Sequence, residues 1–240
     1  STSESTGNAG RVEISVTDLL EVLNGGVILS GTFAEGDAGG VIIDAGAMRV
    51  EDASVNSNTS ESTGNAGRVE ISVTDLLEVL NGGQISSTTF AAGDAGSVTI
   101  DTQSLLIDAQ NSQTLNGIFS QSNSVDSGQV GDIQVNATDT IHINDGVISI
   151  RSLSAKDDLV SAGQGLLSVS ANEIQMQNGS EITAESISGI PASNVQVSAS
   201  GRLQVVDSVI SSTAEDASGG GVNLAAKTLR LENSQVTTSV

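Results

Sequence analysis

Cysteine, tryptophan and tyrosine are absent from this 240-residue chain, and proline occurs once, at Pro191. Without cysteine there is no disulfide and no thiolate metal site. A single proline argues against a proline-rich disordered linker. Three phenylalanines are the whole aromatic complement. The interior must therefore be filled by aliphatic side chains, which suits a narrow, layered core better than a wide globular one. Positive charge is scarce too: eight Lys and Arg stand against 29 Asp and Glu, a formal charge of −21. Such a surface repels phosphate backbones and anionic lipid headgroups, so neither nucleic acid nor a membrane is an expected partner. The acidic coat is read first as a solubility device. Such a coat could also attract cations, calcium stiffening the stack being a further possibility, and no cofactor is indicated. No run of 18 apolar residues is present, so no helix inserts in a membrane. No secretory leader is visible, so any export signal is expected outside this segment.

What the chain has in place of these is repetition. TSESTGNAGRVEISVTDLLEVLNGG occurs at 2–26 and again, identical at all 25 positions, at 59–83. A shorter period lies beneath it. GNAG at Gly7 and Gly64 alternates with GDAG at Gly36 and Gly93, in steps of 29, 28 and 29 residues. The unit reads G-[ND]-A-G-x-V-x-I-x(4–5)-L-x-V-x-[ND]-G-x-x-I-S-S. Each unit carries two apolar pairs spaced i, i+2 and then a third apolar position. Val12/Ile14, Leu20/Val22 and Ile28 in the first unit correspond to Val222/Leu224, Leu229/Leu231 and Val236 in the eighth. In the fourth unit Ile118 is the best match to the third position. The i, i+2 spacing places both members of a pair on one face of a strand. SVTDLLEVL alone resembles an amphipathic helix. Its counterparts in the other units, LLIDAQN and LRLENSQ among them, alternate apolar and polar and keep no helical stripe, so the stretch is read as a strand.

Three short strands per unit bury nothing alone, but units stacked in register do. The fold expected is all-β: a right-handed, single-stranded parallel β-helix of eight rungs, 28–35 residues each, forming one repeat domain over 1–240. At the strand spacing the rod is about 38 Å long. The first residues match a mid-array loop and the last lie within a third strand, with no polar cap at either end. Part of a longer array, or end-to-end self-association, is therefore expected.

Two residues after each second pair stand Asn24, Asp52, Asn81, Ala109, Asp145, Asn178, Asp207 and Asn233. Asn and Asp accept left-handed backbone and suit a sharp turn. No two Asp are adjacent, so stacked side chains are expected to form an Asn/Asp hydrogen-bonded ladder without carboxylate repulsion. The spacing between Gly93, Gly128 and Gly163 lengthens to 35 residues. The extra residues place candidate binding loops near Phe119, Arg151, Lys156, Asp157 and Asp158, because insertions in solenoids map to loops.

Catalytic chemistry is not indicated. His142, the only histidine, lies between Ile141 and Ile143 and is expected to point outward into solvent. No acidic pair recurs at a spacing that sets a general acid opposite a base. Calcium-roll, phosphate-loop, HExxH and GxSxG motifs are all missing. Thr tracts such as SSTTF (86–90) do not recur from unit to unit as a flat TxT face.

The unit, best seen in GDAGSVTIDTQSLLIDA (93–109) and VLNGGQISSTTFAAGDAG (79–96), resembles repeats of filamentous-haemagglutinin-like exoproteins of two-partner secretion systems, notably cyanobacterial ones. The resemblance covers essentially the whole chain. It implies a secreted or bacterial cell-surface β-helix, exported through an outer-membrane barrel partner. It also implies roles in adhesion, aggregation or matrix formation, with glycans or proteins of cell surfaces as possible partners. The expected function is a non-enzymatic structural shaft. The alternative is a carbohydrate-active β-helix, lyase-like or hydrolase-like, with its site in the loops of rungs four and five.

Overall fold

A computed structural model describes residues 6–33, 35–60, 63–110, 112–155, 165–187 and 189–240, in which every regular element is a strand. Rung one is β1 (Val12–Leu23) and β2 (Val27–Thr32); rung two is β3 (Val41–Glu51) and β4 (Ser54–Thr59). Rung three is β5 (Val69–Val73), β6 (Leu76–Leu80) and β7 (Gln84–Thr89). Rung four is β8 (Val98–Asp108) and β9 (Gly117–Ser122); rung five is β10 (Ile133–Asn144) and β11 (Val147–Ser152). Rung six is β12 (Leu166–Gln177) and β13 (Glu181–Ser186); rung seven is β14 (Asn194–Val206) and β15 (Val209–Ala214). Rung eight is β16 (Val222–Glu232) and β17 (Gln235–Ser239).

Each strand pairs in parallel with its equivalent one rung away, and two sheets result. One runs β1-β3-β5-β8-β10-β12-β14-β16, with β6 pairing β3 and β8. The other runs β2-β4-β7-β9-β11-β13-β15-β17. The molecule is a parallel β-solenoid. The helix-like SVTDLLEVL is strand, with Leu77 and Val79 fully buried in the second copy. Ile118 takes rung four's third inward place, between Ile85 and Ile148.

The expectation of three separate strands per rung holds only in rung three. Elsewhere the first two merge into one long strand whose pairing slips between the apolar pairs, as between Val16 and Leu19 or Ala199 and Arg202. A register slip absorbs an extra residue in a continuous strand, so no turn is needed. The slip has a phase. The inward residues flanking it are six positions apart in odd rungs (Ile14 to Leu20, Ile71 to Leu77, Val135 to Ile141, Val197 to Leu203). They are five apart in even rungs (Ile43 to Met48, Ile100 to Leu105, Val169 to Ile174, Leu224 to Leu229). The longer span therefore always faces the shorter one.

The inward residues stack into one aliphatic column. In rung two Val41, Ile43, Met48, Val50 and Val55 are at most 1% exposed. Each such side chain contributes about 1.5–3 kcal/mol on burial. No rung could bury them without its neighbours.

Candidate functional site

The turn column is the first sequence-derived site. Asn24, Asp52, Asn81, Asp145, Asn178, Asp207 and Asn233 all have φ between 46° and 57°, the left-handed region. In rung four the turn slips by one residue: Gln110, not Ala109, has the positive φ. Ala109 still occupies the stacked position, its amide donating to Asn144 as Asp145 donates to Gln177. Gln110 is held by its own amide donating to Asp108 Oδ1 (2.8 Å). The expected side-chain ladder is not what joins this column. Backbone does so: the Asn24 amide donates to the Glu51 carbonyl, and Asn81 to Asp108. One column side chain does cross to the neighbouring rung: Asn178 Nδ2 donates to Asn144 Oδ1 (2.6 Å), the residue before Asp145 rather than Asp145 itself.

Side-chain ladders form elsewhere. At the glycine corner the amide of Asp37 donates to Asn8 Oδ1, Asn65 to Asp37 Oδ1, Asp94 to Asn65 Oδ1 and Gln129 to Asp94 Oδ1, all within 2.7–2.9 Å. Only an acceptor oxygen is needed, so Asn and Asp serve alike, and their alternation holds carboxylates two rungs apart. The corner is tight because there is no β-carbon. A Cβ on Gly39 would lie 2.2 Å from the Gly10 carbonyl oxygen, and one on Gly67 would lie 2.1 Å from that of Gly39.

Behind this corner runs a buried hydroxyl spine that the reading of apolar positions missed. Ser57, Ser87 and Ser120 are fully buried. Ser87 Oγ donates to the Gly67 carbonyl (2.9 Å) and accepts from the Gly96 amide (2.9 Å). Ser57 bridges Gly39 and Gly67 in the same way, and Ser120 bridges Gly96 and Gly131. Each hydroxyl thereby ties its own rung to the next. The second Ser of the recurring I-S-S was the signal: it stands two residues after an inward Ile and so must also point inward.

The candidate binding loops fare differently. Phe119 is not in a loop. It lies in β9, on the outward side between Ser86 and Ser149, yet is only 3% exposed. The insertion falls on either side of β9, leaving Ile118 and Phe119 the regular strand places. Arg151 is likewise a strand residue, in β11, with Nε donating to Glu185 Oε2 one rung on (2.9 Å). Lys156, Asp157 and Asp158 lie outside the described residues.

Between the turn at 112–116 and rungs five and six there is an open cleft of about 410 Å³, lined by Gln113, Leu115, Asn116, Asp145, Val147 and Glu181 among others. Gln84 Nε2 donates to the Leu115 carbonyl, which draws the turn toward rung three and leaves the cleft open. Glu181 belongs to an exposed strand end, but its carboxyl is partly desolvated there. That desolvation, with Glu185 on the same face adding repulsion, pushes it above the usual carboxylate range. His142 faces outward as expected, beside Glu173 and Arg202. It is not freely solvated, because Nε2 is covered and has no partner.

Chemically, the arrangement offers one perturbed carboxyl in a shallow polar cleft. Among the described residues, no group of three His, Asp or Glu is placed to hold a metal ion. No family model, curated protein or solved structure matches the chain.

Proposed function

We propose that this chain is the non-enzymatic structural shaft of a secreted or bacterial cell-surface adhesin or exoprotein. The observation that carries the reading is continuity. One core cluster extends from Val22 to Ile210, with Val12, Ile14, Val222 and Leu224 packed against it. The residues that recur from rung to rung are those that hold rungs together: inward aliphatics, corner glycines, buried serines and turn Asn/Asp. The surface between them varies. This is the pattern of a spacer, whose task is length and stiffness. The resemblance to filamentous-haemagglutinin-like repeats supports the same reading. It adds export through an outer-membrane barrel and support of adhesion, aggregation or matrix, with cell-surface glycans or proteins as partners of the longer assembly.

One observation favours a second reading, a carbohydrate-active site. The cleft at rungs four to six pairs the perturbed Glu181 with Asp145. Incubation with acidic and neutral polysaccharides separates the two. The shaft reading expects no new reducing or unsaturated ends. Reproducible cleavage that is lost in Glu181→Gln would overturn it.

A further inference from the structure

The alternation of odd and even rungs carries an inference that goes beyond the shaft reading and does not depend on it. It shows in the interior junctions of the larger sheet, where carboxylates are sorted by rung. Glu13 and Glu70, of rungs one and three, are separated by Ile42 of rung two. Asp44 and Asp101, of rungs two and four, are separated by Ser72 of rung three. Arg49 stands between Glu21 and Glu78, and Leu80 between Glu51 and Asp108. The glycine corner follows suit, with Asn65 between Asp37 and Asp94. The chain carries 29 Asp and Glu. Among the described residues, none of them faces another across a pair of strands.

The backbone is sorted the same way. The long span of rung three bulges at Thr74 and Asp75, whose amides donate to the Ala45 and Gly46 carbonyls of rung two. On the other side the Gln103 and Ser104 amides of rung four converge on the Asp75 carbonyl. A short span thus receives the bulge of a long one from either side. The fit is close: a Cβ on Gly46 would run into the Thr17 and Asp18 carbonyl oxygens of rung one.

We propose that these features act together as a parity lock, a conformational device that lets an odd rung stack on an even one and rejects its own kind. Units this similar could otherwise settle one rung out of register. Setting rung two on rung four, for example, brings Asp37 to Asp94, Asp44 to Asp101 and Glu51 to Asp108, with one short span facing another. Like charges directly opposite are destabilising, and these would be about 4.8 Å apart. A displacement of two rungs keeps both sortings intact. The exact 25-residue duplication lies at that displacement, so the shaft can change length by two rungs but not by one.

Two insertions into the 240-residue chain test this. Repeating residues 64–92 in tandem adds one rung of 29 residues and sets rung three on its own copy. Repeating residues 36–92 adds two rungs, 57 residues, and keeps the alternation. Both are followed by far-ultraviolet dichroism on heating. The two-rung chain should melt in one step at or above the parent temperature, because each added rung meets a matched neighbour. The one-rung chain should show an earlier step, about 5–10 °C below the parent, because Glu70, Asp75 and Glu78 each meet their own copies. Glu70→Thr with Glu78→Leu, made in the inserted copy alone, gives it what rung four presents there, Thr99 and Leu106. That pair should recover about half of the loss. Equal melts for the two insertions overturn the proposal. So does an early step that the two changes leave unmoved.

Discussion

At the residue scale, the turn asparagines act through backbone geometry. Asn81 has φ 49° and is followed by Gly82 at φ 84°. A residue with an unhelpful β-carbon pays about 1 kcal/mol to stand there, whereas glycine does not. Asn81→Ala is therefore expected to lower stability by about 1 kcal/mol in urea melts, and Asn81→Gly to stay within a few tenths of the parent. Glu181 gives a prediction of the opposite sense. Its carboxyl titrates above the ordinary range in the fold, so the folded state holds the proton more tightly than the unfolded one. Stability must then fall as pH rises from the ordinary carboxylate value through the raised one. Glu181→Gln should melt slightly higher than the parent at pH 7 and coincide with it at pH 4. An unchanged difference between the two pH values would show that Glu181 is not the group responsible.

At the element scale, the corner and the serine spine set how closely rungs approach. Gly67→Ala drives a methyl into a backbone carbonyl 2.1 Å away, which no rotamer relieves. A loss of about 2–3 kcal/mol is expected. Gly10→Ala is the control, because nothing lies within 4 Å of the added carbon, and its melt should match the parent. The strands themselves were legible wherever eight aligned units could outvote one local propensity, as at Leu77 and Val79. Their merging was not, because a register slip and a turn both read as a few polar residues between apolar pairs. Phe119 was misplaced for a related reason. The added length of rung four is visible in sequence, but which residues become loop and which keep the strand is decided by pairing with Ser86 and Ser149.

At the scale of the whole molecule, stability is a sum over neighbouring rungs. A charge in the middle of the stack therefore severs it. Val79 is fully buried between Val50 and Ile107, and Val79→Asp should cost about 4 kcal/mol or more. Circular dichroism on heating checks this: an unmoved transition would mean that the inward face is wrong. The acidic coat adds a collective term. With a formal charge of −21, added salt should raise the melting temperature by screening repulsion between carboxylates along the rod.

The sequence by itself determined the period, the inward faces and the residues of the turns, because each of these is a matter of spacing along one chain: i, i+2 for a face, 28 or 29 residues for a rung. Only the tertiary structure decided what lies between rungs. The Asn/Asp oxygens of the glycine corner bond to backbone amides, the side-chain bonds beside the turn run from Asn144 to Asp108 and from Asn178 to Asn144 rather than between column members, and Ser87 proves to be a buried bridge rather than a polar end to a strand. Those outcomes depend on which groups from residues some 10 to 30 positions apart come to lie within about 3 Å, and that distance is set by rung stacking, not by neighbours in sequence.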